Sequence, residues 1–260
     1  MKIVTLVIAF FSVITLSACV DIEEFIVINE DNSGTYTLQL DMSKMIEMAS
    51  QMGAGEAGSK KMEKMDSTFF LKEKILAADN LTAAEKDLYQ DVSMKVKVDK
   101  ASKEIKIVMT CPFKSINNLP EIKENLFTII DKLKVLDKMA GKGEEAAAAP
   151  ADDAMSEKAI SPGSDKYKFI ATPGKIEYKL IEQGAATATP EADSTMMMLK
   201  GMMSFMGEMT YKTNITAARP VKNYSGNKAT VSADKRTISF SYTFTEILEK
   251  PGISAYQMEY

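Results

Sequence analysis

The side chain most often used for chemistry is missing here: the 260-residue chain contains no histidine. That removes Ser-His-Asp and Cys-His catalysis, His-ligated zinc or haem, and a histidine pH switch together. Two cysteines are present. Cys111 follows Ile105, Ile107 and Met109 at period two, which puts it on the buried face of a strand. A thiol packed there, with no base beside it, is inert. The adjacent carboxylates Glu144-Glu145 and Asp152-Asp153 fall in a stretch with little to bury, where nothing would shift their pKa values or fix their geometry. Two carboxylates distant in sequence could still meet in the fold, as in glycosidases, but a solvated face is the expectation for every acidic residue. Neither a phosphate-cradling glycine loop nor a G-x-S-x-G elbow occurs. The expectation is no catalytic residue, no cofactor and no enzymatic activity.

Methionine is the abundant unusual residue, with nineteen in all. A run from Met196 to Met209 concentrates them. On a helix, Met198, Met202, Phe205 and Met209 share one face, and Met196, Leu199, Met203 and Met206 take the adjacent one. Such a segment is apolar around most of its circumference yet too short to cross a bilayer. Three uses stay open. It can be a packed helix whose flexible thioethers fill irregular space. It can line an adaptable apolar groove, with Met198, Met202, Phe205, Met206 and Met209 touching a ligand. It can also hold Cu(I), since thioethers select that ion. Met42-x-x-Met45-x-x-Met48, Met62-x-x-Met65 and Met206-x-x-Met209 resemble elements of periplasmic copper proteins. The histidines and dense Met-x-Met repeats usual there are absent, so no metal site is assigned.

The first twenty residues are the most specific part of the sequence. Met1-Lys2 is a short positive region, and Ile3 to Leu16 is an unbroken apolar and hydroxylated run. On a helix it covers roughly 21 Å, short of a hydrocarbon core of about 30 Å, so a cleaved secretory leader fits better than a permanent span. Leu16-Ser17-Ala18-Cys19 follows. These four residues resemble the bacterial lipoprotein signal, a branched apolar residue and two small ones before the cysteine that becomes the mature N-terminus. The resemblance implies removal of residues 1–18, a diacylglyceryl thioether on Cys19, and an amide-linked acyl chain after cleavage. Two or three chains make a stable anchor, at about 0.8 kcal/mol per buried methylene. In many Gram-negative lipoproteins an Asp directly after the cysteine marks inner-membrane retention. Val20 stands there instead, which favours the outer membrane. Asp21, Glu23 and Glu24 also resemble the acidic tethers of surface-exported lipoproteins.

The partner expected is therefore a membrane, through Cys19, with an apolar ligand or an envelope protein as further candidates. Nucleic acid is not expected, because 32 basic against 36 acidic side chains give a net charge of -4 with no basic cluster. With Cys19 acylated, Cys111 has no partner for an internal disulfide, and the fold must stand on its core.

Four hairpins can be read from period-two alternation and turn chemistry: Ile22–Ile28 with Thr35–Leu40, Val92–Val98 with Ile105–Met109, Tyr167–Ala171 with Ile176–Leu180, and Ala229–Ser232 with Ile238–Phe244. Tyr256 to Tyr260 is a further strand. Helices are expected over Met42–Met52, Ser67–Ala78, Ala83–Gln90 and Leu119–Met139, with Thr82 and Glu85 forming a capping box and Pro120 in the first turn of the longest. The order argues an α+β domain, an antiparallel sheet of hairpins with helices packed over one face. Residues 19–140 and 166–260 would form this one domain, and 141–165, rich in Ala, Asp, Ser and Pro, a flexible low-complexity linker. A lipobox, an opening hairpin turned by Asp31 to Gly34, then helices and further hairpins are loosely similar to the LppM-like lipoprotein domain of mycobacteria. That resemblance implies a sheet-and-helix grip able to take a lipid or glycolipid between its layers.

Overall fold

Alternating side chains and short polar turns build most of the molecule as hairpins. The computed structural model describes residues 21–44, 64–99, 101–135, 166–181, 208–250 and 252–260. β1 (Asp21–Ile28) and β2 (Gly34–Asp41) pair antiparallel. Their turn is held by Asp31, whose carboxylate accepts from the Ser33 backbone N–H at 2.9 Å and from its hydroxyl at 2.6 Å, an Asx-type turn. β4 (Ser93–Asp99) and β5 (Glu104–Phe113) form the second hairpin, β6 (Tyr167–Thr172) and β7 (Lys175–Leu180) the third. Near the C-terminus come β8 (Thr210–Ala217), β9 (Asn223–Gly226), β10 (Thr230–Val231), β11 (Thr237–Thr243) and β12 (Tyr256–Glu259).

One antiparallel sheet was the expectation, and the structure corrects it in two ways. With β3 (Lys64–Phe70) included, the strands divide into an eight-stranded sheet, ordered β10-β11-β8-β1-β2-β5-β4-β3, and a four-stranded sheet, ordered β6-β7-β12-β9. Within the larger one β1 and β8 run parallel, Asp21 beside Thr210 through Ile28 beside Ala217. The physical reason is that burial alternates with period two whichever way a strand runs. A hairpin turn fixes antiparallel pairing, but strands almost two hundred residues apart have no such constraint. The third hairpin leaves the main sheet because β12, with Tyr256 and Met258 buried, pairs β7 on one side and β9 on the other.

A second correction concerns Ser67 to Phe70. They belong to β3 (Lys64–Phe70), which pairs β4 as an edge strand, with Met65 opposite Val98 and Phe69 opposite Met94. Met65, Ser67 and Phe69 alternate with Lys64, Asp66, Thr68 and Phe70, and the pairing follows that alternation. The helix there is only α1 (Lys72–Ala77). α2 (Ala83–Tyr89) carries the expected capping box, Thr82 bonding the Glu85 backbone N–H and Glu85 reaching back to the Thr82 N–H. α3 (Leu119–Lys132), entered through a 3-10 turn at Ile116–Asn118, buries Leu119, Ile122, Leu126, Ile129 and Ile130. Its regular run stops at Lys132, where Lys134 turns left-handed at φ 49, and residues 136–139 of the expected helix lie outside the described residues. α4 (Phe244–Glu249) repeats the capping box with Thr243 and Glu246. Of the expected helix Met42–Met52 and the linker 141–165, all but residues 42–44 lie outside the described residues.

The first hairpin leaves no space at Gly34, which opens β2. A Cβ there would overlap the Val27 carbonyl oxygen and lie 2.5 Å from the Phe113 ring. Gly34→Ala must shift the β1–β2–β5 pairing and is expected to destabilise by about 3 kcal/mol, read as a fall in the urea midpoint at unchanged m-value.

Candidate functional site

The period-two face of β1 places an acid in the core. Ile22, Glu24, Ile26 and Ile28 point inward together, and Glu24 is 2% exposed. An isolated carboxylate there would cost many kcal/mol, so its partners decide whether the fold exists. β8 supplies one: Thr213 sits beside Glu24 in the parallel register and donates to its Oε2 at 3.1 Å. β2 supplies a second, the Tyr36 hydroxyl, which donates to Oε1 at 2.7 Å. α3 supplies the third, the Lys123 ammonium, in direct ion-pair contact with Oε1. Lys123 also donates to the Tyr211 hydroxyl at 3.2 Å.

Lys123 is boxed by aromatic faces. Its Nζ lies 5.6 Å from the Phe169 ring centroid, 5.7 Å from Tyr178, 5.8 Å from Tyr211 and 6.0 Å from Tyr36. Ring quadrupoles attract a cation at these separations, most strongly where water is excluded. Phe169 and Tyr178 come from β6 and β7, so the ammonium joins the small sheet to the large one. The rings continue beyond it. Tyr178 stacks on Tyr167 at 4.7 Å and tilts against Tyr256 at 5.6 Å, and Tyr256 stacks on Phe240 of β11 at 4.4 Å. One ion pair thus lies where two sheets and α3 meet.

The electrostatics favour holding charge over moving protons. Burial pushes Glu24 upward, but the Lys123 charge and the bonds from Lys123, Tyr36 and Tyr211 outweigh it and keep the carboxyl below its usual range. Burial and the Glu24 charge together push the hydroxyls of Tyr36, Tyr211 and Tyr256 up. Each therefore keeps its resting protonation state around neutrality. Cys111 behaves likewise: it is fully buried on β5, and burial lifts its thiol to about 12.

The residues singled out from the sequence stand apart from this cluster. Cys19 and its lipobox, together with Met198, Met202, Phe205 and Met206, lie outside the described residues. Met209 is described, and it corrects one detail. It lies just before β8 in non-helical conformation, 8% exposed and packed in the core. Its carbonyl accepts from the Phe244 N–H at 2.8 Å, a bond that ties it to the start of α4. Met94, Met109 and Met258 are core residues, and Met42 and Met65 pack against the core. Asp21, Glu23 and Glu24 all lie within β1. The sequence held a clue to Glu24 in its even spacing from Ile22, Ile26 and Ile28. No such clue pointed to Lys123.

No family model and no curated protein matches the chain. Among solved structures, the folded domain of Mycobacterium tuberculosis LppM, determined by NMR, is similar over 94% of this chain and 91% of that one. Identity is 7% and the TM-score is 0.33. A likeness of that size assigns neither a fold family nor a function.

The pair makes two measurable demands. Lys123→Met strands a buried carboxylate and is expected to cost about 3–5 kcal/mol. Glu24→Gln with Lys123→Met should be less damaging than Lys123→Met alone, as a double-mutant cycle in urea would show. Because Glu24 is held below its ordinary value of 4.5, its contribution is complete above that pH and fades as pH falls through the lowered value. The melting temperature of Glu24→Gln should accordingly fall less than that of the wild type between pH 5 and pH 3.

Proposed function

We propose that this chain is a lipid-anchored lipoprotein of the bacterial cell envelope, with a non-catalytic binding or scaffold role. Residues 1–18 act as the leader, and acyl chains on Cys19 hold the protein, favouring the outer membrane. In this reading the helices and the small sheet cover the buried face of the large sheet, making one rigid body on the anchor.

The carrying observation is the sequence Leu16-Ser17-Ala18-Cys19, which ends two residues before the first residue of β1, Asp21. Nothing in the described part needs the leader, since β1 finds its partners in β2 and β8. The buried titratable groups support a non-catalytic role. Glu24 has its acceptor sites occupied, the tyrosine hydroxyls are held protonated, and burial lifts the Cys111 thiol to about 12.

Metabolic labelling with an alkyne fatty acid tests the anchor. Wild-type protein should carry the label and sediment with membranes, whereas Cys19→Ser should lose the label and move to the soluble fraction. Membrane association of Cys19→Ser at the wild-type level would refute acylation as the tether. Val20→Asp should keep the label and shift the protein from the outer-membrane to the inner-membrane density fraction.

A further inference from the structure

The register of the large sheet fixes which strand ends lie together. Asp21 at the start of β1 is opposite Asp41 at the end of β2 and beside Thr210 at the start of β8. Thr210 faces Thr243 at the end of β11, and Asp41 faces Lys106 near the start of β5. Lys106 in turn faces Lys97 of β4, and Lys97 faces Asp66 of β3. One end of the sheet therefore gathers the starts of β1, β3, β5 and β8 and the β4–β5 turn. The β1–β2 turn and the β10–β11 turn lie at the other end.

Chain length does the rest. Cys19 precedes Asp21 by two residues, and two residues span at most about 7 Å even when fully extended. β1 has eight residues, rising about 26 Å from one end of the sheet to the other. An acyl-bearing Cys19 thus has no room to let the sheet turn over or stand away. We infer that the end of the large sheet where β1, β3, β5 and β8 begin is the membrane-facing surface of the protein, its partner the headgroup layer that holds the acyl chains. The inference rests on the lipid anchor proposed above.

The charge of that end fits such a partner. Three of its carboxylates are paired with neighbouring lysines, Asp99 with Lys64 at 3.9 Å, Glu104 with Lys97 at 2.7 Å and Lys106 at 3.1 Å, and Asp41 with Lys106 at 3.4 Å, while Asp21 has the Lys44 charge near it and a hydrogen bond with Thr210. A surface of paired charges brings little repulsion to an anionic leaflet, where an unpaired acidic patch would be driven off. Met42, Met65 and Met209, the described ends of the methionine-rich stretches, all lie at this end as well.

Site-directed fluorescence on the acylated full chain tests the orientation. Ser102→Cys marks the β4–β5 turn and Glu30→Cys the β1–β2 turn, both at exposed positions, while the buried Cys111 thiol is unreactive in the folded protein. Each variant is labelled with a small fluorophore and reconstituted in phosphatidylethanolamine–phosphatidylglycerol vesicles containing lipids that carry a nitroxide on the headgroup. Quenching at residue 102 should exceed that at residue 30 several-fold. Equal quenching, stronger quenching at residue 30, or none at either would overturn the inference while leaving the anchor intact. Lys64→Cys against Arg236→Cys repeats the comparison on the same two ends. Cys19→Ser, run in parallel, separates the two claims. If it binds the vesicles as the wild type does, the anchor reading fails and the orientation with it.

Discussion

A negative charge on the core face of a central strand is the constraint from which the rest of this architecture follows. Glu24 is flanked in its own strand by Ile22 and Ile26, so it has no route to water along β1. Its neutralisation must come from other elements, and each is held in a specific place by that demand. Thr213 reaches Oε2 because β8 lies parallel to β1 in one register. A slip of one residue would turn Thr213 to the opposite face and bring Lys212 inward. Tyr36 reaches Oε1 from β2, and Lys123 from α3. The aromatic faces that surround Lys123 then draw the small sheet against this centre. The pair need not exceed the stability of apolar residues of the same size. What it does is penalise every arrangement that leaves either charge alone.

The same strand links the two halves of the account. β1 is central in the large sheet, carries the buried acid, and lies two residues from the proposed acylation site. A tether of that length passes orientation from the bilayer to the sheet, where a long polar linker would lose it. Envelope function in this reading depends on a rigid body presented at a fixed attitude. The β1–β2 and β10–β11 turns then face away from the membrane and are the natural surface for a partner in the periplasm or beyond.

Local pattern made the hairpins legible. The alternation in Val92–Val98 and Ile105–Met109, the Asp31 turn, and the capping box at Thr82 all appear in the structure. Each depends on neighbours within a dozen residues. Pairing between distant strands was not legible, because the parallel match of β1 to β8 and the capture of β7 by β12 have no local sequence signature. The end of β3, Ser67 to Phe70, reads as helix for a related reason. Ser67, Thr68, Phe69 and Phe70 suit either period, and only pairing with β4 decides between them. Most of the buried ion-pair cluster was illegible on the same grounds. Lys123 reads as one more solvated residue on α3 until the fold brings it to Glu24, and Phe169 and Tyr178 read as ordinary strand aromatics.

The ionisation of Glu24 in the folded protein tests the account most directly. Carboxyl-carbon NMR of glutamate-labelled protein, with the Glu24 resonance assigned by its loss in Glu24→Gln, follows that charge as pH is lowered from 7. The account predicts a carboxylate shift that stays constant through the ordinary value of 4.5 and changes only below it. A Glu24 resonance that titrates at or above that value while the protein remains folded would contradict it.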